Sequence, residues 1–277
     1  MDLVRPGSCQ CLRFDIGSVG ANILTTLYGY LHTLARGSEN GQAERTMTPT
    51  EVAQLISDAC HSNSAFGEYK GGQLESQAGW EIRTFKSLKP LMGEAENDLI
   101  GGPYPYPFYI FVNKISGRVI IGAFRYSICN AIITHLNYSL SLQANKRLHR
   151  FSFDVETIRR EIESTAQKEI ERKAKPDNEK EAENIPLVTL IQLDVNDFSS
   201  KIEAISISGD DVLGVNFLKR FSPDAFQAKQ IGLRLNSSLS ESCRLLRAGG
   251  MQFYSNRLKD LEICLGFVFR SQAVILD

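Results

Sequence analysis

The chain has 277 residues and carries 31 basic against 32 acidic side chains, a formal net charge of −1. This balance excludes bulk electrostatic attraction to DNA, RNA or anionic lipid, so any such binding needs a local basic patch. Apolar residues make up 43% of the chain and charged residues 23%, as in water-soluble globular proteins, and no apolar run approaches the ~20 residues of a membrane span. We see no secretory signal and no metal or disulfide spacing among the six cysteines, so we expect a cytoplasmic protein with reduced thiols.

Hydrophobic periodicity predicts the first elements of the chain. Residues 12–16 alternate between apolar and polar side chains, which predicts a strand. Residues 23–34 carry apolar side chains at helical spacing, which predicts a helix with one buried stripe. Thr48, Pro49 and Glu51 have the order of a capping box with proline at the first helical position, so we expect a second helix to begin there.

A β-hairpin is the clearest pattern in the middle of the chain. Two apolar, β-branched and aromatic runs at 108–112 and 118–124 flank a short loop that contains glycine. A short strand is expected near 80–82, before the hairpin. After the hairpin, the apolar spacing over 128–140 predicts a helix, and the alternation over 151–155 predicts another strand.

Residues 156–184 differ in composition from their surroundings, because they are rich in charges of both signs and contain no aromatic residue. Their first part predicts a long, charged surface helix, and their last part a linker. Ile158, Ile162 and Ile170 form a thin apolar stripe on this helix. We expect the stripe to contact a partner protein or a second copy of the chain, and ordinary packing within the chain is the alternative.

Further patterns follow in the C-terminal part. Strands are expected at 187–195, 205–207, 231–235 and 263–269, and a helix at 239–246. The predicted fold is α+β or mixed α/β, a mixed sheet with flanking helices and one long charged surface helix. We divide the chain into an N-terminal α/β region, 1–155, a charged helix and linker, 156–185, and a C-terminal α/β region, 186–277. A single domain is the alternative.

One local concentration of positive charge is a candidate nucleic-acid site. Basic side chains beside Phe151 and Phe153 can hold phosphates while the rings stack on bases. The candidate residues are Lys146, Arg147, Arg150, Arg159 and Arg160. The alternative is that both phenylalanines face the core and the basic residues are solvated, with nearby glutamates reducing the positive potential.

Four aspartates are the candidate catalytic residues of a rival, enzymatic hypothesis. Asp194 and Asp197 lie at the end of a predicted buried strand, and Asp210 with Asp211 follows the next one. Carboxylates at strand ends can converge on Mg²⁺ and position phosphate chemistry. Capping of strands and turns is the alternative reason for aspartate at these positions.

The sequence favours binding over catalysis, because it has no phosphate loop, no dinucleotide-binding glycine motif, no paired-histidine metal motif and no serine nucleophile elbow. We expect a non-enzymatic binding protein that is a subunit of a cytosolic homo- or hetero-oligomeric assembly and can contact nucleic acid. We expect no membrane contact, no metal and no cofactor. The alternative is a metal-dependent phosphodiester-cleaving enzyme that uses Mg²⁺ at the four aspartates.

Overall fold

The computed structural model has the α+β class that the sequence predicts, with helices packed on a large antiparallel sheet. It describes residues 26–36, 47–69, 79–88, 91, 106–173, 185–195, 204–213, 226–235, 237–238 and 240–276. No helix in these ranges is both long enough and apolar enough to cross a membrane.

Twelve strands and four α-helices make up the described part of the chain. The strands are β1 Thr26–Arg36, β2 Phe66–Glu68, β3 Trp80–Ser87, β4 Pro107–Asn113, β5 Val119–Ala123, β6 Lys146–Phe153, β7 Leu187–Val195, β8 Ala204–Ser208, β9 Phe226–Arg234, β10 Cys243–Leu246, β11 Gly250–Tyr254 and β12 Val274–Leu276. The helices are α1 Pro49–Ser62, α2 Tyr126–Ala144, α3 Val155–Lys173 and α4 Leu258–Arg270.

The main path of the sheet runs in the order β2-β3-β4-β5-β1-β11-β10-β9-β7-β8, and β6 pairs with both β1 and β12. Each pairing between described strands is antiparallel. The pairing of β1 with β11 joins strands of the two predicted α/β regions into one sheet. The proposed division at 156–185 stays a prediction.

Strand β1 is the branch point of the sheet. One edge of β1 pairs with β5, in a register that places His32 opposite Val119. The other edge is shared, because its first half pairs with β11 and its second half pairs with β6, where His32 lies opposite Arg150. Strands β11 and β6 therefore diverge from β1 at Leu31, and we call this place the junction.

Helices cover the two faces of the sheet unequally. On one face, α1 and α2 pack on β1, β4 and β5, and the buried cluster they form contains only residues between Tyr30 and Leu148. On the other face, α3 and α4 pack on strands from β1 to β11 in a second cluster. The first cluster contains no residue of β9, β10 or β11. On the α2 side of these strands, Gln230, Arg244 and Gln252 are partly exposed.

Several local predictions are confirmed. Helix α1 begins with the expected capping box: the Glu51 N–H donates to Thr48 Oγ1 at 3.3 Å, and the Thr48 N–H donates to the Glu51 carboxylate at 2.7 Å. Strands β4 and β5 form the predicted hairpin, and α2 contains the predicted apolar spacing. Strands β3, β7, β8 and β9 also lie where the sequence predicts strands. The strand predicted at 12–16 lies outside the described residues.

Three predicted element types are wrong. The helix expected over 23–34 is strand β1 where the structure describes it, because both faces of β1 are buried. Leu27 and Leu31 belong to one core cluster and Tyr30 to the other, so the apolar residues do not alternate and their spacing imitates a helix. Where a helix is expected at 239–246, the structure has strand β10. In this strand the buried residues Cys243 and Leu245 alternate with partly exposed ones.

The strand expected at 263–269 lies within helix α4. Its apolar residues do alternate, yet the buried set also has helical spacing and extends beyond the alternating run. The buried residues are Leu258, Leu261, Cys264, Leu265, Phe267 and Val268. A window that begins at Leu258 therefore shows a period of 3.6 residues, which the shorter window hides.

Candidate anion-binding site

The three candidate catalytic aspartates that the structure describes lie at two separate places. Asp194 pairs with Ala204 at the end of β7, whereas Asp210 and Asp211 follow β8 near the start of β7. Asp194 forms an ion pair with Lys229 at 3.3 Å, and the Asp211 carboxylate accepts the Leu213 N–H at 3.2 Å. Asp197 lies outside the described residues. Nowhere in the described ranges do three or more His, Cys, Asp or Glu side chains form a group that could hold a metal ion.

The two distal arginines of the predicted basic patch are paired with glutamates on their own helix. Arg159 donates to Glu156 at 2.6 Å and to Glu163 at 2.6 Å, and only 21% of its side chain is exposed. Arg160 donates to the same Glu156 at 3.0 Å. The arginine partners lower the pKa of Glu156 against the opposing effect of its burial. This network neutralises the positive charge of α3 at its start.

The stripe predicted as an interface is part of the core. Ile158 is 0% exposed and Ile162 is 2% exposed, and both pack with α4 and the sheet in the second cluster. Both isoleucines are therefore unavailable to a partner. They pack within the chain, which was the alternative to a partner contact. The side chain of Ile170 lies outside the described residues.

The three basic residues of β6 have different surroundings. Lys146 is buried, Arg147 is exposed, and Arg150 is partly buried beneath α2. Because side chains alternate along a strand, Arg147 and Arg150 project from opposite faces of the sheet. Only Arg150 lies on the α2 side at the junction.

Two contacts fix the Arg150 guanidinium. Its central carbon lies 3.7 Å from the ring centroid of Tyr30, a cation–π contact, and its Nη2 donates to Asn130 Oδ1 at 2.8 Å. Neither partner is charged, and no carboxylate among the described residues lies within ion-pair distance of Arg150. The described residues therefore hold the positive charge in place without neutralising it.

Tyr126, at the first position of α2, contacts the same Tyr30 ring as this arginine. Its ring contacts Tyr30 with centroids 5.5 Å apart and Tyr28 with centroids 5.0 Å apart. Its hydroxyl oxygen is buried and makes no hydrogen bond with the described residues. Burial is the main cause of a raised pKa at Tyr126, so the hydroxyl is protonated at neutral pH and can donate.

The beginning of α2 adds further donors. Arg125 is the N-cap residue, no side chain caps the first turn, and that turn contains no acidic residue. The free N–H groups of a first turn, with the helix dipole, favour an anion. Gly250 of β11 lets the Tyr126 ring lie against the sheet, since a Cβ at this position would lie 3.1 Å from the ring edge. We call Tyr30, Tyr126, Asn130, Arg150 and Gly250 the junction site.

His32 lies under the same helix, next to Arg150 across the β1–β6 pairing. It is 1% exposed, and neither ring nitrogen makes a hydrogen bond of acceptable geometry with the described residues. Burial, and then the positive charge of Arg150, lower the pKa of His32 from 6.5 to about 3, against a smaller opposing effect of the Tyr30 and Val119 backbone. His32 is therefore neutral at physiological pH, and Arg150 is the cation of this site.

This depressed pKa predicts an acid-sensitive fold. The imidazole binds a proton near pH 6.5 when the chain is unfolded but only near pH 3 when it is folded, so stability is complete above 6.5 and falls as the pH drops through this window. Between pH 7.5 and pH 5 we expect a loss of about 2 kcal/mol from His32 alone. Urea denaturation at both pH values measures it, and His32→Leu should abolish most of the difference. An equally steep pH dependence in His32→Leu would assign the effect to other groups.

The comparisons with known proteins find neither a matching family model nor a curated protein of significant similarity. The functional argument therefore rests on the chemistry of the junction site.

Sequence reasoning found Arg150 but missed its neighbours. Tyr30 and His32 were assigned to a helix, and Tyr126 and Asn130 carry no motif. No signal in the sequence indicated an uncapped helix start, because Ser127, a favoured N-cap residue, stands directly before the helix predicted over 128–140. The pairing of β1 with both β6 and β11, which assembles the site, has no signature in the sequence.

Proposed function

We propose that the protein is a non-enzymatic binding protein that receives a phosphate-bearing ligand at the junction site, with nucleic acid as the ligand class. The observation that carries the proposal is that Tyr30 contacts both the Arg150 guanidinium and the Tyr126 ring at an uncapped helix start. Among the described residues, the buried Tyr126 hydroxyl has no hydrogen-bond partner and Arg150 has no carboxylate partner. A cytosolic setting and a role within a larger assembly remain part of the proposal.

The donor set selects an anion. The Arg150 N–H groups, the Tyr126 O–H and the first-turn N–H groups of α2 are all hydrogen-bond donors, and an ionised phosphate group offers acceptors to them. The Tyr126 hydroxyl lies below the molecular surface. A ligand must therefore insert a small group into the junction to reach it, which favours a terminal phosphate over a surface contact along a backbone.

The neighbouring sheet face offers room for the rest of such a ligand. Gln252 lies opposite Tyr28 and Arg244 on the β10–β11 side, so these residues share the face of the sheet that α2 leaves uncovered. Arg244 is held by Glu241, and 39% of its side chain is exposed. Amide and hydroxyl side chains on this surface can hydrogen-bond bases or sugars without adding net charge.

Arg150 and Arg147 form a matched pair for testing this proposal. They lie three residues apart on one strand, but only Arg150 faces the junction. Arg150→Met should weaken binding of a fluorescent 5′-phosphorylated single-stranded oligonucleotide by about tenfold or more, because it removes a charge-assisted contact. Arg147→Met should change the affinity by less than about twofold. Fluorescence anisotropy at several salt concentrations measures both.

Two controls define what the result means. The same oligonucleotide without its phosphate should bind more weakly to the wild-type protein, and circular dichroism should show that both variants are folded. Equal losses in Arg147→Met and Arg150→Met would indicate general electrostatic attraction. Binding that survives Arg150→Met unchanged would contradict the proposal.

A further inference from the structure

The outer face of α2 combines apolar exposure with a lack of charge. Tyr138 is 67% exposed and Leu142 is 71% exposed, and they stand four residues apart on one face of the helix. Exposed Thr134 continues the same row one turn earlier. In all 19 residues of α2 there is no Asp, Glu, Lys or Arg.

A helix that contacts water alone is usually rich in charged residues, as the exposed side of α3 is. Charged residues are depleted, and tyrosine is enriched, at the centres of protein–protein contacts. The outer face of α2 therefore has the composition of a covered surface. Neither α1 nor the sheet covers Tyr138 and Leu142, because both side chains are exposed in the single chain.

From this we infer that the outer face of α2 is a contact between two copies of the chain, with the two α2 helices packed against each other. A two-fold axis brings each patch against its own copy, so any charged residue near the axis would approach a like charge. A face without charge avoids this repulsion. It also offers nothing with which a charged partner could pair, so a second copy fits it better than an acidic or basic protein.

The size of the face sets the expected strength of the contact. One helix face is small compared with the ~800 Å² per partner that stable complexes bury, so we expect a reversible dimer controlled by protein concentration. The contact is independent of the junction site, because Tyr138 and Leu142 lie three to four turns beyond Tyr126 along α2. Failure of either proposal therefore leaves the other standing.

Size-exclusion chromatography with light scattering, over an about hundredfold range of concentration, tests the contact on the full chain. The wild-type mass should rise from monomer towards dimer as the concentration increases. Leu142→Lys and Tyr138→Lys should each raise the dissociation constant by about tenfold or more, because each places two like charges at the axis. Both positions are exposed, so both variants should fold, and circular dichroism checks this.

Ile115→Lys is the matched control. Ile115 is 82% exposed in the turn between β4 and β5, away from α2, so the same substitution there should leave dimerisation unchanged. A wild-type protein that stays monomeric at every concentration would overturn the inference. A dimer that persists in both α2 variants, or one that Ile115→Lys dissociates equally, would overturn it too, since the contact would then lie elsewhere.

Discussion

Gly249→Ala should destabilise the fold by more than about 3 kcal/mol, the sum of left-handed backbone strain and a severe overlap. Gly249 lies in the turn between β10 and β11 with φ of +80°, a conformation that L side chains rarely adopt. A Cβ there would stand 2.2 Å from the backbone oxygen of Phe151, which cannot move without breaking the sheet at the junction. Urea denaturation monitored by circular dichroism gives the loss directly.

Gly117 separates the two contributions. It also has a positive φ, +67°, but a Cβ there would meet nothing closer than 3.7 Å. Gly117→Ala should therefore cost only the backbone strain, about 1–2 kcal/mol. If the two variants lost equal stability, the close approach of the β10–β11 turn to β6 would not exist in solution.

Ile158→Ala should cost about 2–5 kcal/mol, the usual penalty for emptying a fully buried aliphatic site. The side chain is 0% exposed in a core cluster of apolar residues, so the residual cavity cannot fill with water favourably. The oligomeric state should not change. Thermal unfolding together with light scattering measures both quantities on one preparation.

Arg160→Ala is the control on the same helix. Its side chain is 62% exposed and joined to Glu156, so its loss should cost less than about 1 kcal/mol. The stripe that contains Ile158 was predicted to contact a partner, with packing within the chain as the alternative. A partner contact predicts that Ile158→Ala changes the oligomeric state, whereas a core position predicts that it changes the stability. A stable but dissociated Ile158→Ala variant would support the partner surface and contradict the core position.

Predictions that depend on local chemistry were the most accurate ones. The Thr48 and Glu51 capping box, the β4–β5 hairpin and the charged α3 are all specified within a few residues, by hydrogen bonds, turn geometry or composition. Each of these elements occurs where its pattern predicts. The sequence is therefore a good guide to elements that contain their own start and stop signals.

Predictions that depend on burial were less accurate. Strand β1 is covered on both faces, so its apolar side chains lose the alternation by which a strand is usually recognised. The stripe on α3 appeared too thin to bury, but Ile158 and Ile162 are buried in the core cluster that also contains α4 residues. Which surfaces meet is decided by the whole chain, and periodicity within one segment does not contain that information.

The candidate site shows the same limit. Arg150 was a candidate because of its basic neighbours, yet Arg159 and Arg160 are neutralised by glutamates and Arg147 points away. What distinguishes Arg150 is its contact with Asn130 and with Tyr30, whose ring also contacts Tyr126. Those residues come from three elements that only the paired sheet brings together.

Tyr126→Phe is the most direct test of the junction site, because it deletes a single oxygen atom. The hydroxyl has no partner among the described residues, so its removal should leave the unliganded fold as stable or stabilise it by about 1 kcal/mol. The same change should weaken binding of the 5′-phosphorylated oligonucleotide by about tenfold, because the ligand loses a donor. Unchanged affinity would contradict the account at any stability, since the hydroxyl would then have no role in binding.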